Sequence, residues 1–220
     1  MNRFRTMTRL PAPIRHLESI TNHIEKHFGS DYFVLHEKKS KIVHVDIHIV
    51  RPSPTRPFFT LLTSGMSDLD MHTPDGFEDL ALAELCLCLP ADWPLSLTNL
   101  AWREPRYFWP INFLQQSARY PHRHKTWFSW GHVVEGLEYW LHADAGVNFT
   151  GMFLLKPQTL PGGADKLTME NGRIIYYLAI VPLLSREIAF DKNHDSSALE
   201  EKLFEAGVTE LVNPQRESAV

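Results

Sequence analysis

The chain has 220 residues, 44% of them hydrophobic and 11% aromatic, which is enough apolar material for one substantial core. Its formal charge of −4 and pI near 6.3 exclude the concentrated basic surface that general nucleic-acid binding needs, so DNA and RNA are set aside as main partners. The charge is uneven: residues 1–16 hold Arg3, Arg5, Arg9 and Arg15 and no acid, which leaves −8 on the remainder. These residues, with Pro11 and Pro13, are expected to form a flexible basic arm.

Leu17, Ile20, Ile24 and Phe28 recur at helical spacing and Gly29 follows, which predicts an amphipathic helix over 17–28. A short strand is expected at 32–35, and KKSK at 38–41 reads as a solvated turn. From 43 to 50, Val43, Val45, Ile47 and Ile49 alternate with Asp46 and the histidines 44 and 48, so a strand with one core face and one polar face is expected. Pro52, Pro54 and Pro57 end it, and Phe58–Ser64 resumes as a hairpin partner closed by Gly65. An acidic irregular segment, 68–82, contains the turn Thr73-Pro74-Asp75-Gly76 and leads into a strand at 84–89.

Residues 93–106 read as loop. Pro110 suits the first position of a helix bearing Ile111, Leu114, Gln115 and Ala118, expected to end before Pro121. Residues 122–146 give no clear period and read as irregular. Strands are expected at 148–155 and 173–181, joined by a loop turning at Pro161-Gly162-Gly163, and a short helix at 183–190. The last helix starts at a capping box of Ser197 and Glu200, carries Leu199, Leu203, Phe204 and Ala206, and stops at Gly207. The order of elements predicts a single α+β domain over 17–212, its mostly antiparallel or mixed β-sheet packed by several helices, with a disordered tail at 213–220. The longest apolar run, 174–184, falls short of the roughly 17–25 residues that cross a bilayer and contains Pro182, so no membrane association is expected. Cys86 and Cys88 stand at i and i+2 of a strand, where geometry opposes a disulfide; a cytoplasmic protein is expected.

His44, Asp46 and His48 share one face of their strand, and Glu84, Cys86 and Cys88 would add carboxylate and thiol ligands if the second strand lay beside it. Against a metal site stands the spacing, since residues two apart on a strand are nearly ~7 Å from each other. The same residues suggest a thiol enzyme, with Cys86 or Cys88 as nucleophile and His44 or His48 as base, although a run of leucines is a poor setting for a thiolate. Gly65-Met66-Ser67-Asp68-Leu69 lacks the second glycine of a nucleophile elbow and reads as a turn. Asp75, Glu78, Asp79 and Glu84 read as a solvated acidic stretch rather than acid–base pairs. His122, Arg123, His124 and Lys125, beside Tyr120, Trp127 and Trp130, read first as core aromatics flanked by a solvated turn; the mix of charge and aromatic surface also suits a protein interface and, less well, a stacking platform for bases.

The segments HVDIHIV (44–50), FFTLLTSGMSD (58–68), AELCLCLP (83–90) with DWP (92–94), WP (109–110), TWFSWGH (126–132), GMFLLKPQ (151–158) and IIYYLAIVPLL (174–184) follow one another in a set that resembles the suppressor of fused domain. The likeness covers roughly residues 17–205 and is to the single-domain bacterial form, similar to the amino-terminal domain of the animal Hedgehog-pathway protein. It implies an α+β protein-binding domain without enzymatic activity or cofactor. Animal members hold a short extended peptide of a transcription factor, and bacterial members include immunity proteins that neutralise toxins. A protein partner is therefore expected, either a toxin domain or an extended peptide. The resemblance places Tyr120 at an aromatic peptide-binding position. Gly131 and His132 stand where the animal domain has an acidic residue before histidine, so Gly131 departs from the pattern.

Overall fold

The computed structural model describes residues 14–38, 40, 42–98, 100–141 and 143–220. Of the basic arm, only Ile14, Arg15 and His16 lie within them, and of the KKSK turn only Lys38 and Ser40. In chain order the helices are α1 (Leu17–Phe28), α2 (Pro105–His124), α3 (Ser185–Asn193) and α4 (Ser196–Glu205). The strands are β1 (Tyr32–Leu35), β2 (Asp46–Val50), β3 (Phe58–Ser64), β4 (Ala83–Pro90), β5 (Val133–Glu135), β6 (Phe149–Leu155), β7 (Lys166–Thr168) and β8 (Ile174–Leu184).

The strands form one mixed sheet in the order β1-β2-β3-β4-β8-β6-β5, with β7 paired to the start of β8. Prolines and Gly65 punctuate an antiparallel meander from β1 to β4, in the register Tyr32↔Val50, Asp46↔Ser64 and Phe58↔Pro90. β8 then runs parallel to β4, Ala83 opposite Tyr176, and β6 and β5 return antiparallel beyond it. This is an α+β domain of mixed, mostly antiparallel pairing.

Both faces of the sheet are covered. On one face Ile47, Leu61, Leu85, Leu87 and Ile180 pack under Trp109, Phe113 and Leu114 of α2. On the other, Leu62, Cys86, Ala179 and Val181 pack under Ile20 and Ile24 of α1, Ile188 of α3, and Leu199 and Leu203 of α4. A 12-residue helix such as α1 is marginal alone. Burying Ile20 and Ile24 contributes about 3–6 kcal/mol and fixes it on the sheet. Burial on two sides also explains why AELCLCLP and IIYYLAIVPLL are nearly continuous apolar runs.

The polar face expected on residues 43–50 is instead interior: Asp46 is 3% and His48 1% exposed. The strand itself begins at Asp46, with Val43 and Val45 buried ahead of it. The helix expected to begin at Pro110 begins at Pro105 and runs past Pro121, so two prolines lie inside it. Core contacts of Trp109, Phe113 and Ala118 on either side of Pro110 outweigh the lost backbone bonds. Lys125, in the left-handed region at φ +51, ends the helix with its N–H donating to the Pro121 carbonyl. The segment 122–146 contains the short strand β5 and a 3-10 turn at Glu138–Trp140, and the loop after β6 contains β7. Asp195, not Ser197, caps α4, its carboxylate accepting from the Ala198 N–H, and Phe204 faces solvent at 72% exposure.

The tail at 213–220, expected to be disordered, packs back. The Arg216 guanidinium meets both oxygens of the fully buried Glu187 carboxylate at 2.5 and 2.6 Å, and the Ala219 N–H donates to Glu187 Oε1 at 3.0 Å. A buried carboxylate needs such partners, and among the described residues the tail brings the cation to it. Among the described residues no helix is long and apolar enough to cross a membrane.

Candidate binding cleft

At the end of the sheet, β5 is joined to β6 on one side and to no strand on the other among the described residues. A terminal strand presents unpaired N–H and C=O groups along its open side. Here that side borders a cleft of ≈ 570 Å³ whose lining includes Tyr120, Gly131, His132, Val133, Val134 and Glu135. The fold therefore brings Tyr120 of α2, twelve residues away in sequence from His132, into one concavity with Gly131 and His132. Gly131 has φ +82, a conformation that favours glycine. Its N–H donates to the Leu154 carbonyl at 2.8 Å, so this turn is tied to β6 immediately before β5.

Aromatic rings form the α2 side of the cleft. Tyr120 lies 4.2 Å from the His124 ring and 5.6 Å from Phe128, centre to centre, and Trp127 meets His132 edge-on at 4.8 Å. Partial burial lowers the pKa of His132, opposed by a hydrogen bond to the Trp127 backbone, which keeps a neutral ring at neutral pH. The opposite side is polar: Asp191 near the end of α3 accepts from the Ser196 hydroxyl at 2.9 Å, and Glu135 pairs with Lys192 at 2.5 Å. Nothing in the sequence alone pointed to Glu135 or Asp191. A three-residue strand has no measurable period, and α3 reaches the site only through β8.

The alternative metal and thiol set is taken apart by the strand order. β3 lies between β2 and β4: His48 is opposite Leu62 and Leu62 is opposite Cys86, so His48 and Cys86 are about 10 Å apart at ~4.8 Å per strand. Asp46 is engaged by His36 at 2.7 Å, by His44 at 2.6 Å and by the Glu37 N–H at 2.8 Å, while His48 Nε2 lies 3.2 Å from Ser64 Oγ. Among the described residues no group of three or more His, Cys, Asp or Glu is placed to hold a metal ion. Burial pushes the Cys86 thiol well up and the Cys88 thiol up to about 12, and it pushes His48 down to about 4. A nucleophile needs a thiolate, and these sites disfavour one.

The segment Thr63–Asp68 proves to be a structural latch. Glu84, fully buried, accepts from the Thr63 hydroxyl at 2.6 Å, the Gly65 N–H at 2.9 Å, and the Ser67 hydroxyl and N–H at 2.7 and 3.0 Å. A Cβ at Gly65, where φ is +111, would come 1.9 Å from the His44 carbonyl oxygen, so only glycine fits. Asp68 accepts from the N–H groups of Arg15 and His16 and so anchors the start of α1. Met66, between these anchors, offers its carbonyl to His122 Nε2 at 2.9 Å, which ties the latch to the last turn of α2 beside the cleft.

A family model described as suppressor of fused protein matches residues 41–217. No curated protein sequence matches significantly. Among solved structures the chain is similar to the suppressor of fused homologue of Neisseria gonorrhoeae, with 19% identity and a TM-score of 0.61 over 92% of this chain and 96% of that one. It is similar to a chain of the Sufu–Fu complex at 10% identity and a TM-score of 0.63, over 96% and 93% of the two chains. Drosophila Suppressor of Fused gives 13% identity and a TM-score of 0.63 over 94% of this chain, which spans about half (52%) of the Drosophila chain. At these identities the structural likeness is one of fold, and the family match over most of the sequence carries the assignment: the chain belongs to the suppressor of fused family.

Proposed function

We propose that this protein is a non-enzymatic binding module that takes an extended segment of a protein partner along the open side of β5, with Tyr120, Gly131 and His132 in the contact. The observation that carries the reading is the unpaired terminal strand opening into an aromatic-walled cleft. Main-chain hydrogen bonds to such an edge supply affinity, and flanking pockets select side chains. A chain with the same fold was crystallised in the Sufu–Fu complex, which is consistent with a protein partner. The finer reading is that of a cytoplasmic bacterial immunity protein whose partner is a basic toxin domain. The −8 carried by residues 17–220 supports it, since opposite potentials speed encounter and hold register.

The test starts from a displayed peptide library. A selected peptide is added to the full chain, and amide hydrogen exchange is followed at residues 131–136. Slower exchange there, and binding weakened by at least about tenfold in Tyr120→Ala/His132→Ala, is the expected result. A peptide that binds equally well to that variant and leaves the β5 amides unchanged overturns the edge-binding reading. For a captured toxin domain, an association rate indifferent to salt between roughly 50 and 500 mM removes the electrostatic part.

A further inference from the structure

A charge drawn out of water calls for a counter-charge, and the arginines of this fold obey that rule with one exception. Among the described residues, Arg51, Arg56, Arg119 and Arg216 are the arginines that are buried or half-buried. Arg51 pairs with Asp31, Arg119 with Glu37 and Arg216 with Glu187. Arg56, in the turn between β2 and β3, meets no carboxylate; its partners are two backbone carbonyls and a hydroxyl.

The guanidinium is nonetheless fixed in place. Its Nη1 donates to the Phe58 carbonyl at 3.1 Å and to Thr60 Oγ1 at 3.0 Å, and its Nη2 to the Arg51 carbonyl at 2.9 Å. The rings of Phe28 and Phe58 lie 5.4 and 5.8 Å from its central carbon. Ser53 and Arg56 exchange backbone hydrogen bonds at 2.8 and 3.1 Å, and Pro52, Pro54 and Pro57 restrict the same turn. Three of the five N–H groups are thereby used. The Nε–H and one N–H of Nη2 have no acceptor among the described residues.

Arg56 borders a cleft of ≈ 340 Å³ together with His27, Ser53, Thr55 and Thr159. Neither ring nitrogen of His27 is hydrogen-bonded to a described residue, and a neutral imidazole always keeps one N–H to donate. The hydroxyls of Ser53 and Thr55 are 3.4 Å apart, so when one donates to the other the second retains its proton. Thr159 is already spent: its N–H and hydroxyl donate to the buried Glu210 carboxylate at 2.7 and 2.8 Å. Lys26 and Lys166 stand in an adjoining cleft of ≈ 460 Å³ that shares His27, where Glu170 is the acid, and Asp165 acts on His27 from the loop before β7.

We propose that the Arg56 cleft is a second binding site, for a phosphate group carried by a ligand. Arg56 offers two open N–H groups to two of its oxygens, and His27 and the Ser53–Thr55 pair donate to the third. A carboxylate has only two oxygens and leaves the last donors unused, so phosphate fits the donor count better. β3 is four strand positions from β5, about 19 Å at ~4.8 Å per strand, so the site does not rest on the edge-binding reading.

The deciding experiment titrates the full chain with inorganic phosphate at constant ionic strength and follows the Arg56 Nε–H and the amides of Ser53 and Thr55 by NMR. A saturable shift is expected, with binding at least about tenfold weaker in Arg56→Lys, which keeps the charge and loses the fork, and about threefold weaker in Ser53→Ala/Thr55→Val. Unchanged amide exchange in β3 and β4 reports an intact fold in both variants. A phosphoserine tripeptide and adenosine 5′-monophosphate then tell a protein source from a nucleotide one; tighter binding of either than of inorganic phosphate supports the site and identifies the carrier. No saturable shift up to about 50 mM phosphate, equal affinity for acetate, or undiminished binding in Arg56→Lys overturns the proposal.

Discussion

Replacing Glu84 with alanine tests whether the latch at Thr63–Ser67 holds the sheet together. The substitution removes the acceptor of the Gly65 and Ser67 N–H groups, each of which costs about 1–3 kcal/mol when buried unpaired. The two hydroxyls can turn to other acceptors, but a small cavity remains, and the total comes to about 3–5 kcal/mol. With a urea slope of about 2 kcal/mol per molar, the unfolding midpoint should fall by about 2 M. Glu84→Gln keeps Oε1 for three of the four donors, and its amide can donate to Thr63 Oγ1, so about 1 kcal/mol is expected. A fall of less than about 0.5 M for alanine, or equal losses for the two variants, would refute the latch. pH adds a second reading. Burial holds the folded Glu84 carboxyl above its ordinary 4.5 against the pull of its four donors. The margin of wild type over the glutamine variant is therefore largest below pH 4.5 and shrinks as pH rises through the folded-state value.

Arg216→Ala leaves the buried Glu187 carboxylate without its cation, held by the N–H groups of Leu184 and Ala219 alone, a loss of about 3 kcal/mol that should lower the melting temperature by several degrees; an unchanged value would mean that the tail is not docked. His48, held down to about 4 by burial against an ordinary 6.5, makes the fold lose about 3 kcal/mol as pH falls from 6.5 to 4, because only the unfolded chain takes up the proton. His48→Leu should flatten that stretch of the stability–pH curve relative to wild type, as followed by urea unfolding at several pH values, and parallel curves would contradict the burial argument. Cys86 and Cys88, both buried with raised pKa values, should resist Ellman's reagent in the native protein and react fully in urea; rapid native labelling of Cys88 would reopen the thiol reading.

Much of the element order is carried by local pattern. Helix α1, strand β1 and the Phe58–Ser64 strand stand where periodicity, proline and glycine place them, because those signals act within a few residues. The runs in β4 and β8 did not reveal burial on both faces, and the alternation around Asp46 suggested a polar face that the second helical layer covers. By itself, then, the sequence determined the class of fold, most strand and helix positions, and the family segments that run through them. Tertiary structure decided what those patterns could not: that β3 separates His48 from Cys86, that α2 continues through Pro110 and Pro121, that Glu84 gathers four donors, and that Tyr120 meets His132 beside the open side of β5. Each of these depends on which distant strand or helix lies alongside. Packing free energy summed over the whole core sets that choice, and no local period records it.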